Sequence, residues 1–99
     1  MSSELSTKDK ELYRVTDEVL HYVWDPIGVS RFPQARDEYC TYLDQTFGLL
    51  KKGATQEAIA EYLGKVTTER MGLTASPEND LNSAGLLCEW RKVINDKFA

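Results

Sequence analysis

The chain of 99 residues has the length of a single domain, and its 41% hydrophobic and 28% charged content is ordinary for a globular protein. Its net charge of −4 argues against duplex DNA, RNA or an anionic membrane as the main partner. No apolar run approaches the roughly 20 residues that span a bilayer, and the polar start lacks a signal-peptide pattern. We therefore expect a cytoplasmic protein.

The first helix is predicted over residues 7–24, after a frayed start at residues 1–6. Its apolar residues recur at three- and four-residue spacing, and Ser6 with Asp9 forms a variant of the capping box. Pairs at i,i+4 are expected on its outer face, because residues four apart are neighbours on a helix. They are Arg14–Glu18 and Asp17–His21.

A sharp turn is predicted after this helix, because Pro26 disfavours the helical conformation at the residue before it. Asp25, Pro26 and Gly28 stand at the first, second and fourth positions of a type I turn. The pattern favours a structural corner, since Pro and Gly commonly punctuate chains in this way. The alternative is a rigid rim that presents charges to a partner: Asp25, Arg31, Arg36, Asp37 and Glu38.

Two further helices are predicted on either side of a two-residue link. Phe32-Pro33 opens the second helix, and Gly53 ends it as a C-cap. Thr55 caps the third helix, which ends at Gly72. A link this short implies an antiparallel helix pair.

The last helix begins with Ser76-Pro77-Glu78 as N-cap, N1 and N2. Its predicted core-facing residues are Leu81, Ala84, Leu87, Cys88, Ile94 and Phe98. Leu86, Trp90 and Val93 widen this stripe, so that one side of it could cover the turn after the first helix. The predicted fold is therefore all-α, a small four-helix, bundle-like single domain over residues 1–99.

The sequence contains no spacing that specifies a catalytic or metal site. His21 is the only histidine, and Asp17 one turn before it could orient the imidazole, but no nucleophile is placed to face it. No zinc, calcium or di-iron spacing and no glycine-rich phosphate loop occurs. Cys40 and Cys88 match no redox motif and are expected to be reduced, partly buried thiols. We therefore predict no catalytic residue, cofactor or metal.

The turn and the segment after it also carry a family resemblance. Trp24-Asp25-Pro26-Ile27-Gly28, followed by Arg36-Asp37-Glu38-Tyr39, resembles a family of small bacterial all-α proteins of unknown function. That family shares a W-D-P-x-G turn and an acidic D-E-Y helix start, and the similarity covers about residues 12–73. Cys40 stands where the family pattern has an acidic residue. The resemblance implies a helical fold and a bacterial cytoplasm, and it supplies no activity.

Three functions remain open from the sequence. The leading hypothesis is a non-enzymatic protein-binding module, and its sharper version is an immunity-type inhibitor of a basic toxin, because an acidic surface captures cationic partners. Its predicted partner-binding residues are Trp24, Asp25, Arg36, Asp37, Glu38 and Tyr39. The alternative is a small-ligand-binding or hydrolytic enzyme that uses Asp25, Asp37, Glu38 and His21. The third is a homodimer that shares the wide stripe of the last helix.

Overall fold

The first helix runs from its predicted cap to the turn at Pro26. The computed structural model describes residues 5–28 and 39–99, and in it α1 spans Thr7–Val19 and continues as a π-helical turn, Leu20–Trp24. The Ser6 hydroxyl accepts a hydrogen bond from the Asp9 amide at 3.1 Å, as the capping pattern predicts. The π turn closes with a bond from the Asp25 amide to the Leu20 carbonyl, and Asp25 then takes a left-handed conformation with φ 31°.

The second and third helices form the predicted pair. Helix α2 spans Cys40–Lys51, whereas its predicted opening at Phe32-Pro33 lies outside the described residues. Gly53 has φ 81°, and bonds from its amide to Leu50 and from the Ala54 amide to Leu49 form a Schellman motif. Helix α3 spans Gln56–Lys65, with a π-helical continuation Val66–Arg70, and Thr55 caps it through a 3.1 Å bond from Ala58.

The long last helix, α4, spans Pro77–Lys97 and packs against the other three. It runs antiparallel to α1, since Lys97 pairs with Glu11 at one end while Asn79 bonds to the Trp24 carbonyl at the other. Pro77 occupies N1 as predicted. Within residues 5–28 and 39–99 the regular elements are helices without strands, which confirms the all-α, bundle-like fold.

The buried core collects one apolar side from each helix. Its aliphatic members include Leu12, Val19, Leu43, Ile59, Leu63 and Leu87, together with the ring of Trp24. The packing contradicts two predictions for α4, because Leu81 and Phe98 are exposed rather than core-facing. Leu81 precedes the buried residues Ser83 and Ala84 and lies on the side of α4 that meets Gln56 of α3. Phe98 follows the last residue of the helix.

The position of the His21 side chain also differs from its prediction. Its side chain was predicted on the outer face of the first helix, but it is only 2% exposed. The ring packs edge-on against Tyr22 at 4.5 Å and lies 6.4 Å from the ring of Tyr39. The π turn begins at Leu20, one residue before His21. Because a π turn has wider hydrogen-bond spacing than an α-helix, it rotates His21 away from the position that an α-helical projection gives it. The Arg14–Glu18 pair, in contrast, forms as predicted at 3.1 Å.

Candidate binding surface

The predicted corner at residues 25–28 is held by three hydrogen bonds that meet at Asp25. The Gly28 amide bonds to both the carbonyl and the side chain of Asp25, at 3.2 and 3.1 Å. The Tyr39 hydroxyl donates to the same carboxylate oxygen at 2.7 Å and accepts a bond from the Ile27 amide at 3.0 Å. The turn therefore contains the hydrogen bond expected between its first and fourth residues, and Tyr39 bonds it to the start of α2.

A buried polar contact ties the same corner to α4. The indole N–H of Trp24 donates to an Asp80 carboxylate oxygen at 3.0 Å, and the side-chain amide of Asn79 donates to the Trp24 backbone carbonyl at 2.7 Å. Trp24 is 1% exposed and Asp80 is 5% exposed. Burial raises the pKa of Asp80, and the hydrogen bond from Trp24 opposes that rise. Nothing in the sequence pattern singled out Asp80, whose partner lies 56 residues away.

The predicted partner-binding residues are thus placed differently from one another. Trp24 and Tyr39 are buried, so their side chains contribute to the core, while Asp25 is half-buried and bonded within the turn. Arg36, Asp37 and Glu38 lie outside the described residues, as does Arg31. The prediction that these residues form a partner face stays a prediction.

Of the residues predicted for the enzyme alternative, Asp25 and His21 lie within the described residues, whereas Asp37 and Glu38 lie outside them. Asp25 engages Tyr39 and Gly28, while His21 lies among aromatic rings, and its Nδ1 has no hydrogen-bond partner in the described part of the chain. In the same ranges, no group of three or more His, Cys, Asp or Glu side chains is arranged to hold a metal. Neither Cys40 nor Cys88 forms a disulfide bond; the Cys40 side chain is exposed and that of Cys88 is half-buried.

An exposed apolar groove runs along α4 and the end of α1. We call it the α4 groove and define it by Val23, Leu86, Trp90 and Val93. Leu86, Trp90 and Val93 line one depression of about 280 Å³, and Val23 and Leu86 line an adjoining one of about 440 Å³. Trp90 is 39% exposed and Val93 is 54% exposed. Trp90 and Val93 therefore leave much of their surface uncovered, and the hydrogen bonds to Trp24 come from Asn79 and Asp80 of the same helix.

The side of α4 next to the groove carries exposed charges, with Lys92 between Glu89 and Asp96. Glu89 lines both depressions, and Asp96 follows it seven residues later, which places the two on the same side of the helix. Both side chains are exposed. The sequence signal for the groove was the i, i+4, i+7 spacing of Leu86, Trp90 and Val93, which formed a second apolar stripe beside the buried one.

Comparison with known proteins gives no relative from which a function could be carried over. The chain matches no family model, no curated protein and no solved structure. The resemblance in the turn region accordingly stays a prediction. In the described ranges, no helix is both long and apolar enough to cross a membrane.

Proposed function

We propose that the protein is a non-enzymatic binding module whose α4 groove receives an amphipathic helix with a basic edge from another protein. The observation that carries this proposal is the half-exposed indole of Trp90 between Leu86 and Val93. Contiguous apolar surface of this kind marks interaction sites, and a tryptophan at the centre of a patch is a typical binding hot spot.

The shape of the groove favours a helix as the occupant. Leu86, Trp90 and Val93 extend for about 10 Å along α4, roughly two helical turns, and Val23 continues the groove across α1. An amphipathic helix docks on such a surface with apolar residues at i, i+3, i+4 and i+7. A peptide of about three to four turns would cover the groove.

The charges favour a basic partner over a second copy of the chain. Glu89 lines the groove, Asp96 lies on the same side of α4 with Lys92 between them, and the whole chain carries a net charge of −4. When two copies of one helix pack as an antiparallel two-fold pair, the same edge of each copy meets, so Glu89 and Asp96 would face their own counterparts. Like charges at such an edge are unfavourable, whereas Lys or Arg on a different helix would be attracted and oriented.

Capture from host lysate with matched variants tests the proposal. The baits are the wild-type protein, Trp90→Ser/Val93→Ser, Glu89→Lys/Asp96→Lys, and Leu73→Ser as an exposed apolar control outside the groove. We expect one protein with a basic amphipathic helix to be retained by the wild type and by the control. Both groove variants should lose it while keeping the wild-type melting temperature, and high salt should weaken its capture.

Three outcomes would contradict the proposal. Equal capture by the wild type and both groove variants would place the partner elsewhere, including on the undescribed segment around Asp37. Recovery of only the chain itself would identify the groove as a homodimer interface. Capture of nothing in any salt would remove the binding-module function. An immunity-type inhibitor would be one such module, and it requires in addition that binding abolish the activity of a captured toxin.

A further inference from the structure

A second surface feature carries charge of the opposite sign to that of the whole chain. A cavity of about 330 Å³ lies where the start of α1, the end of α2 and the end of α4 meet. Its charged lining residues are Lys8, Asp9, Lys51 and Arg91. Three cations and one carboxylate give this cavity a formal charge of +2, in a protein whose net charge is −4.

The contacts within the cavity leave two of the cations without a neutralising carboxylate. Lys51 Nζ lies 2.9 Å from both carboxylate oxygens of Asp9, so these two charges neutralise each other. Arg91 donates to the Leu50 carbonyl at 3.2 Å and to the Cys88 sulfur at 3.5 Å, which are uncharged partners. Among the ion pairs between described residues, none involves Lys8 or Arg91.

These contacts also orient the guanidinium group. The bonds to Leu50 and Cys88 occupy two of the five N–H donors of Arg91 and restrict its rotation. Asn95, one turn further along α4, adds a side-chain amide to the lining. The buried side chains of Leu12 and Leu50 form an apolar wall, which strengthens the field of the cations because it excludes water.

We propose that this cavity binds a small organic anion through a carboxylate or phosphate group. Arg91 and Lys8 would contact the anionic oxygens, since a guanidinium presents parallel donors and an ammonium acts as a point charge. The volume lies in the range of small-molecule sites. The site is independent of the α4 groove, because Arg91 and Asn95 occupy a different side of α4 from Trp90 and Val93.

A nuclear magnetic resonance titration of the full chain tests the site. Inorganic phosphate and succinate are added separately to 20 mM at constant ionic strength, and the amide signals of Gly53 and Asn95 are followed. Lys8→Gln removes a lining cation, and Lys10→Gln makes the same change two residues away, outside the lining. Melting temperatures establish that both variants remain folded.

We expect saturable shifts at Gly53 and Asn95 with at least one of the two anions, and the anion that saturates identifies the preferred group. Lys8→Gln should weaken binding roughly three-fold or more, as expected for the loss of one partly screened charge contact, while Lys10→Gln should bind as the wild type does. Shifts that stay linear with both anions would overturn the proposal. So would equal weakening in the two variants, or shifts spread over the whole surface.

Discussion

Trp24→Phe tests the buried contact that joins the corner to α4. The substitution keeps an aromatic ring in the core but removes the N–H group that donates to Asp80 at 3.0 Å. Loss of a hydrogen bond to a charged group costs about 1.5–3 kcal/mol. The smaller ring leaves a void of roughly 40 Å³, which costs about 1 kcal/mol more at about 24 cal/mol per Å³. The free energy of unfolding should therefore fall by roughly 2.5–4 kcal/mol.

The loss should depend on pH in a defined direction. Burial already raises the pKa of Asp80, and removal of the opposing hydrogen bond should raise it further. An acid whose pKa is raised on folding contributes stability that is fully present below its unfolded value, about 3.9, and lost as pH rises through the folded value. Between the unfolded and the folded pKa of Asp80, the variant should lose more stability than the wild type. Its deficit should be larger at pH 7 than near pH 4.

Urea unfolding followed by circular dichroism at pH 7 and pH 4 measures both effects. Trp90→Phe is the matched control, since the same chemical change at a 39% exposed side chain should alter stability by less than about 0.5 kcal/mol. In a domain of this size, the expected loss for Trp24→Phe corresponds to a fall in melting temperature of roughly 10–30 °C. A loss below about 1 kcal/mol, or one that is equal at both pH values, would refute the role given to the Trp24–Asp80 contact.

Two other contacts give separate tests. The 2.6 Å hydrogen bond to Asp44 is the main cause that raises the pKa of Tyr13 to about 12, so Tyr13 should contribute an absorbance step near pH 12, and Tyr13→Phe should reduce that step by one tyrosine. The stability that Tyr13 contributes is complete below pH 10, the unfolded pKa, and lost as pH rises through about 12; a Tyr13 step near pH 10 would contradict this. Gly53→Ala should cost about 1–2 kcal/mol in urea unfolding, because its φ of 81° is strained for any residue with a Cβ, and an unchanged midpoint would disprove that strain.

Local chemistry in the sequence predicted most of the helix boundaries. Ser6, Thr55 and Gly53 act where capping rules place them, because capping depends on residues within one turn. The turn at Asp25 follows from the same short-range preferences. These features need no knowledge of the tertiary fold.

Features that depend on tertiary packing were not predictable in the same way. The contact between Trp24 and Asp80 joins residues 56 apart, and the burial of His21 depends on a π turn that a regular helical projection does not contain. The second stripe of α4 was visible as a pattern, but the sequence could not show that Asn79 and Asp80 would cover Trp24 and leave Trp90 exposed. The cationic cavity combines residues from three helices, and no local motif joins them.

Whether the α4 groove seats a basic helix is tested most directly by photo-cross-linking in the host cell. A benzophenone amino acid replaces Trp90 in one version of the protein and Leu73 in the other, both of which are exposed positions. We expect a light-dependent adduct only from position 90, with the cross-linked peptide mapping to a Lys- or Arg-rich amphipathic helix of another protein. An adduct with the chain itself, equal adducts from both positions, or no adduct from position 90 would contradict the proposed binding function.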